Sequence, residues 1–351
     1  MNQVVTINGR VSCSKPRGVY ATMLRFDGKK SNLIHFLLII AAIYTVLASG
    51  IQNRTQLEWY ETCFQRLTLT LHGIWLLMVR FKRWQYIELI EIFESQTRCN
   101  LDSSQAHRHF VKIRTTFYYF CAFIAFSVMF MIYYYPVMTF LDSNDYFQLV
   151  KSLLLKSLTA ITLVSYLSYL QFIVESCLHI HACWFAVIER IHSLKKTDSR
   201  SLTSDEILEV RSMYSIAAVV TEKMDSFLRL PIFYFCSLYI ITYFILLVQF
   251  WHKPNIVGFL RLAIRFANLF LVIWNMTYIH YLSTQCFHDV YSLSYEKHSS
   301  QVNDEIHLFL DRIAQSNVGF SFLKVSLITP TFITSLASLN LTFVLALPSL
   351  L

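Results

Sequence analysis

The sequence predicts an all-α, polytopic membrane protein with seven transmembrane helices, the N-terminus inside, the C-terminus outside and long cytoplasmic helical extensions. Three observations carry this reading. Hydrophobic residues make up 55% of the 351 residues and charged residues only 15%, against about 25% charged in soluble domains. The apolar residues are gathered into runs of spanning length, and the Lys and Arg residues fall on alternate segments between those runs. Seven glycines and six prolines are too few for a collagen-like, low-complexity or loop-rich β chain. No polar stretch is long enough to hold a soluble catalytic core, so an enzyme is not expected. The net charge of +8 is dispersed in short segments rather than along one solvated face, which argues for membrane topology and against nucleic acid as a partner.

A spanning helix needs about 20 mostly apolar residues, because lipid offers no partners to backbone N–H and C=O groups. Leu33 to Ile51 is uncharged throughout and is the first span; Leu67 to Val79 is short and extends backwards through Phe64. Thr115 to Phe140, Ser157 to Val174, Leu230 to Trp251, Val257 to Leu282 and Phe322 to Leu350 complete the seven. Counting from the N-terminus, the first, third, fifth and seventh intervening segments hold 23 of the 30 basic residues and the others hold 7, which places the N-terminus inside. Six basic residues precede the first apolar run, so the first span reads as a signal anchor rather than a cleavable signal peptide. Of the eight cysteines only Cys63 falls near the outer surface, so no external disulfide pair is expected. Asn53-Arg54-Thr55 is a candidate glycosylation sequon on that side.

The cytoplasmic segments carry helical patterns of their own. Leu178, Cys183, Phe185, Val187, Ile188 and Ile191 continue the fourth span inward. Ser204-Asp205-Glu206 reads as a helix start, followed by Ile207, Val210, Tyr214 and Ala217 at helical spacing up to Met224, with Pro231 marking the start of the fifth span. The chain thus divides into a cytoplasmic segment (1–32), a six-helix transmembrane region (33–282) with cytoplasmic helical loops at 80–114 and 175–229, a cytoplasmic helix (283–321) and a seventh helix (322–351).

Neither His107-Arg108-His109 nor His179-Ile180-His181 suits a metal, because residues two apart point away from each other on a helix. No Gly-x-Ser-x-Gly, Walker loop or dinucleotide-binding motif is present, and no cofactor is implied. A solute or lipid transporter would be expected to show midplane charges, broken-helix pairs or repeated halves, none of which is evident.

The last span is the most informative. Pro330 interrupts its hydrogen-bond ladder, and Thr331, Ser335, Ser338 and Thr342 follow at spacings of four, three and four, which puts four hydroxyls on one face. Such a stripe either bonds to carbonyls four residues back and lets helices pack closely, or lines an aqueous pore. His72, Trp274 and Asn275, with Tyr133 to Tyr135, are candidates for a ligand cavity, set against a core or interfacial role for the aromatics. Arg261 and Arg265 are expected to extend to the outer interface.

This architecture resembles the insect gustatory receptor family of the seven-helix insect chemoreceptor superfamily. Leu208 to Pro231, with Tyr214 and Lys223-Met224-Asp225-Ser226-Phe227, is similar to that family's approach to its fifth helix. Glu305 to Asp311 through Val318-Gly319-Phe320 resembles its approach to the final helix. The family signature, Thr-Tyr, five apolar residues and Gln-Phe, belongs in the last helix; here the same letters stand at Thr242-Tyr243 and Gln249-Phe250, in the fifth span, and Thr342-Phe343 is the nearest relic in the last. The resemblance therefore implies a divergent member. It further implies a plasma-membrane homo- or hetero-tetramer of related subunits, gated by a small-molecule ligand and conducting cations without G-protein coupling. The polar stripe would line the pore. The alternatives are a non-conducting accessory subunit of mixed receptor complexes, or a small-solute or lipid transporter.

Overall fold

The computed structural model describes residues 20–21, 24, 29–48, 56–96, 108–109, 111–126, 146–196, 202–252, 254–295, 298–315, 318–335, 338–339 and 342. Helices account for almost all of these: α1 (Lys29–Ala48), α2 (Gln56–Phe81), α3 (Arg83–Gln96), α4 (residues 111–126), α5 (Tyr146–Lys196), α6 (Ser204–His252), α7 (Ile256–Leu293), α8 (Ser300–Gln315) and a final helix, α9, seen at residues 330–335, 338–339 and 342. The described residues of the expected spans are helical except for 322–329 at the start of the last; residues 49–51 of the first, 127–140 of the third, and 336–337, 340–341 and 343–350 of the last lie outside the described residues, as do Asn53, His107 and Tyr133 to Tyr135. Three helical stretches among the described residues, Ala160–Lys196, Ser204–Trp251 and Gly258–Leu293, are long and apolar enough to cross a membrane.

The expected fourth and fifth spans run without a break into the helical segments that adjoin them. α5 has 51 residues and α6 has 49, so at 1.5 Å per residue each reaches roughly 75 Å, more than twice the thickness of the hydrocarbon layer. Almost every residue of α5 from Leu167 to Leu178 is buried, on all sides of the helix. That is the mark of a helix at the centre of a bundle, and α5 indeed packs along α1, α6 and α7. Trp184, fully buried, donates its indole N–H to Thr221 Oγ1 on α6 at 3.2 Å. Amphipathic α8 lays Val302, Ile306, Phe309, Leu310 and Ile313 against α6 and α7. Facing the other way, Leu33, Phe36, Phe123, Trp251 and Phe259 are exposed on the outside of the bundle, where lipid accommodates them.

Arg114 stands one residue before the third span and Glu175 one residue after the fourth. They form a buried bidentate pair, Nε to Oε1 and Nη2 to Oε2, both at 2.7 Å. The pair fixes the two helix ends at one level, as an antiparallel hairpin of spans requires.

Two local expectations are corrected. The cap of α6 is Thr203, one residue earlier than the sequence pattern suggested: Glu206 accepts from the Thr203 N–H at 3.1 Å and donates its own N–H to Thr203 Oγ1 at 3.4 Å. This reciprocal box satisfies two donors at once, which Ser204 at the cap would not allow with Glu206. The last helix starts at Pro330 rather than Phe322. Residues Ser321–Phe322 (β1) and Ser326–Leu327 (β2) form a small antiparallel hairpin, a minor exception to the all-α class. Thr329 Oγ1 then accepts from the Phe332 N–H at 3.2 Å. Pro330 therefore occupies the first helical position, where its missing N–H costs nothing, and interrupts no ladder. At the hairpin tip Leu323 and Lys324 adopt φ of 54° and 61°, left-handed conformations that cost non-glycine residues about 1 kcal/mol or more each.

Candidate functional site: a buried aromatic cluster and an outward polar stripe

Four helices converge on His72. The side chain is 1% exposed on α2, and its Nε2 shares a 2.9 Å hydrogen bond with Ser165 Oγ on α5, which also bonds the Tyr20 hydroxyl at 3.0 Å. Ser165, Tyr166 and Tyr169 lie on one face of α5 because of their one-turn spacing. The rings of Tyr166 and Tyr169 each meet His72 edge-on at 5.7 Å, and Trp75 stacks on its other side at 6.5 Å. α6 adds Tyr234, stacked on Tyr169, and Tyr239, stacked on Tyr166. From α7, the Arg265 guanidinium lies 4.9 Å over the Tyr239 ring. Arg265 thus turns inward onto an aromatic face, correcting the expectation that it extends to the outer interface; a cation over an aromatic ring is held by the ring quadrupole.

Three buried polar atoms of this cluster, His72 Nδ1 and the hydroxyls of Tyr166 and Tyr234, make no hydrogen bond of good geometry among the described residues, the two hydroxyls interacting only loosely with those of Tyr239 and Tyr169. A buried donor or acceptor left unpaired costs about 1–3 kcal/mol. An aromatic enclosure with a few unmet polar atoms is the chemistry that recognises a small organic molecule with a hydroxyl or carbonyl group.

The three ligand-cavity candidates do not meet. His72 is in this cluster. Asn275 is buried elsewhere: its carbonyl accepts from His181 Nε2 at 2.9 Å, its side-chain Nδ2 donates to Leu271 O at 2.8 Å, and His181 Nδ1 lies 3.2 Å from His109 Nε2. Trp274 is 55% exposed and stacks on Phe270 along the outer face of α7. Among the described residues, no group of three or more metal-ligating side chains converges. The sequence reading missed Ser165, Tyr166, Tyr169, Tyr234 and Tyr239. For Ser165, Tyr166 and Tyr169 the signal was a hydroxyl-bearing face on the fourth span, the same kind of stripe that drew attention to the last; Tyr234 and Tyr239, on the fifth, carried none.

On α9, Thr331, Ser335, Ser338 and Thr342 are all exposed on the single chain. Thr342 donates its hydroxyl to Ser338 O at 2.9 Å, the local bonding expected of a hydroxyl in an apolar helix. Thr334 and Leu339 of the same helix are exposed as well, so among the described residues α9 leaves much of its surface, the stripe included, uncovered by the bundle.

No family model matches the sequence, and no curated protein does. Solved structures do match. The insect olfactory receptor OR5 from Machilis hrabei aligns with a TM-score of 0.64 at 12% identity, covering 90% of this chain and 88% of the receptor's. The chain has the insect chemoreceptor fold. The same receptor in complex with eugenol aligns with a TM-score of 0.54 at 13% identity, over 92% of this chain and 89% of that one. With so few identities, the likeness lies in the course of the helices. Burying α5 on every side and keeping α6 unbroken through Pro231 constrain shape far more than they constrain letters.

Proposed function

We propose that the chain is a divergent insect chemoreceptor of the gustatory type, acting at the plasma membrane as one subunit of a tetrameric, ligand-gated, non-selective cation channel. The observation that carries this reading is the olfactory-receptor fold over 90% of the chain, joined to a buried cluster with unmet polar atoms inside the spans. The eugenol complex of the neighbouring receptor supports a small-molecule ligand for this fold. In this reading the ligand displaces the neighbours of His72 and bonds to its Nδ1 and to the Tyr166 and Tyr234 hydroxyls. A ligand that fits the open arrangement better shifts the closed–open equilibrium by its difference in affinity. Copies of Thr331, Ser335, Ser338 and Thr342 around a common axis line the path, since hydroxyls suit partly hydrated cations. The topology that serves this is seven spans with the N-terminus inside and Asn53 outside, available for glycosylation.

A second reading is favoured by one observation: Thr242-Tyr243 and Gln249-Phe250 lie in α6, and α9 keeps only Thr342-Phe343 of the signature. On this reading the chain is an accessory subunit that conducts only in mixed tetramers. Whole-cell recording under a broad odorant and tastant panel, eugenol included, separates the two. Evoked cation current from the chain expressed alone supports the first; surface-expressed protein that conducts only beside a related subunit supports the second; a protein silent in both settings contradicts the channel reading.

A further inference from the structure

α6 is one continuous helix through Pro231, where a backbone N–H is missing and the carbonyl four residues back loses its ladder partner. Bending there is easier than anywhere else along the helix. The Tyr169 hydroxyl, from the His72 cluster, donates to Pro231 O at 3.0 Å, so the cluster touches α6 at its weakest point. Two contacts flank that point and reach the same small hairpin. Two turns earlier, Asp225 accepts from the Ser321 N–H at 2.7 Å and from the Ser321 hydroxyl at 2.8 Å, and its carboxylate is also met by Arg229 at 3.3 Å. Just after it, the Phe233 ring lies 5.0 Å from Phe322. Phe322 in turn contacts Phe332 of α9 at 5.8 Å. The hairpin is stiff, closed by Val325 N–H to Phe322 O and Ile328 N–H to Phe320 O, and only two residues separate it from Pro330.

We propose that Asp225 is a positioning residue that ties the bend of α6 at Pro231 to the position of the final helix through Ser321. A change in the bend moves Asp225 and Phe233 relative to each other, and the hairpin, gripped by both, carries the displacement into α9. The strained turn at Leu323 and Lys324 is held in its left-handed backbone by this grip, the two closing bonds and the Lys324 N–H donated to Ser321 Oγ at 3.3 Å. The proposal rests on the channel reading for its use in gating, while the mechanical link is independent of it.

The test is hydrogen exchange on the full chain in phosphatidylcholine nanodiscs, comparing wild type with Asp225→Asn, Asp225→Glu, Tyr169→Phe and the Tyr169→Phe/Asp225→Asn double variant. Asp225→Asn is expected to speed exchange of residues 320–328 about fivefold or more, and Asp225→Glu to restore part of it. Tyr169→Phe, which touches no residue of the hairpin, is expected to speed the same amides about threefold, with no further increase in the double variant over Asp225→Asn. A merely structural Tyr169 would loosen only its own surroundings. Hairpin exchange unchanged by Tyr169→Phe, or effects that multiply in the double variant, would overturn the proposal. If Asp225→Asn does not yield folded protein, the Asp225→Glu and Tyr169→Phe pair reads the same coupling. Ligand-free cation current is recorded in parallel. Altered current in Asp225→Asn supports the gating use; coupled exchange with the same ligand-free current in every variant rejects the gating use and leaves the link standing.

Discussion

Replacing Arg114 by Met tests whether the third and fourth expected spans end at one level. The side chains of Arg114 and Glu175 are 7% and 4% exposed and joined by two 2.7 Å hydrogen bonds. Each charge-assisted bond contributes about 1.5–3 kcal/mol. Removing the arginine alone strands a buried carboxylate, for which losses of about 3–5 kcal/mol are usual; the two magnitudes agree. For a chain of this size that corresponds to a fall in Tm of about 5 °C. The double variant Arg114→Met/Glu175→Leu removes both charges and should recover most of the loss, because a buried pair exchanged for apolar side chains of similar volume is often neutral or stabilising. Cys177 and Cys183, 0% and 3% exposed and on the same helix as Glu175, supply the assay: a thiol-reactive dye reports their exposure as the detergent-solubilised protein is heated. A single variant that melts within 1 °C of wild type, or a double variant no better than the single, would refute the reasoning and with it the antiparallel pairing of those two spans.

Other outcomes follow from the same contacts. Thr203→Ala should cost about 1 kcal/mol through loss of the capping box and accelerate exchange in the first turn of α6, whereas unchanged exchange there would remove Thr203 as the cap. Lys324→Gly should stabilise the hairpin by about 1 kcal/mol, because glycine adopts the left-handed turn freely, and slow exchange across residues 321–327; faster exchange would mean the lysine side chain matters more than its backbone. His72→Phe keeps the ring and loses both nitrogens, so it should weaken the response to any panel compound that evokes current by about tenfold, a factor equivalent to about 1.4 kcal/mol. An unchanged dose–response curve would take His72 out of the site. An antibody tag on the C-terminus should be reached from outside intact cells and one on the N-terminus should not; the reverse pattern would overturn the orientation.

How much was legible in the sequence differs between elements. Spans were legible because lipid imposes one solution, a long apolar helix, on every crossing, and the fused length of α5 and α6 was visible in apolar positions that keep helical period past the span ends. The hairpin at Ser321–Leu327 was not. Its residues are as apolar as a span, and its turn uses Leu323 and Lys324 where glycine or asparagine would have given a signal. Pro330 was noticed, but whether a proline breaks a helix or starts one depends on the hydroxyl of Thr329 behind it. In the candidate site His72 stood out as the one titratable residue in a short span, whereas Tyr166, Tyr169, Tyr234 and Tyr239 were hidden among 20 tyrosines. Only the crossing of α2, α5, α6 and α7 selects those four. Trp274 and Asn275 are adjacent in sequence, yet one faces outward and the other the core, because neighbours on a helix differ by about 100° in direction.

The central claim is that the polar face of α9 lines a conducting path. Ser338→Trp places an indole on that face, on a residue already exposed on the single chain, where it disturbs the path and little of the bundle. The measurement is ligand-evoked whole-cell cation current for wild type and Ser338→Trp at matched surface density. Current present in wild type and abolished in the variant is the predicted result; wild-type current that Ser338→Trp leaves intact would contradict it.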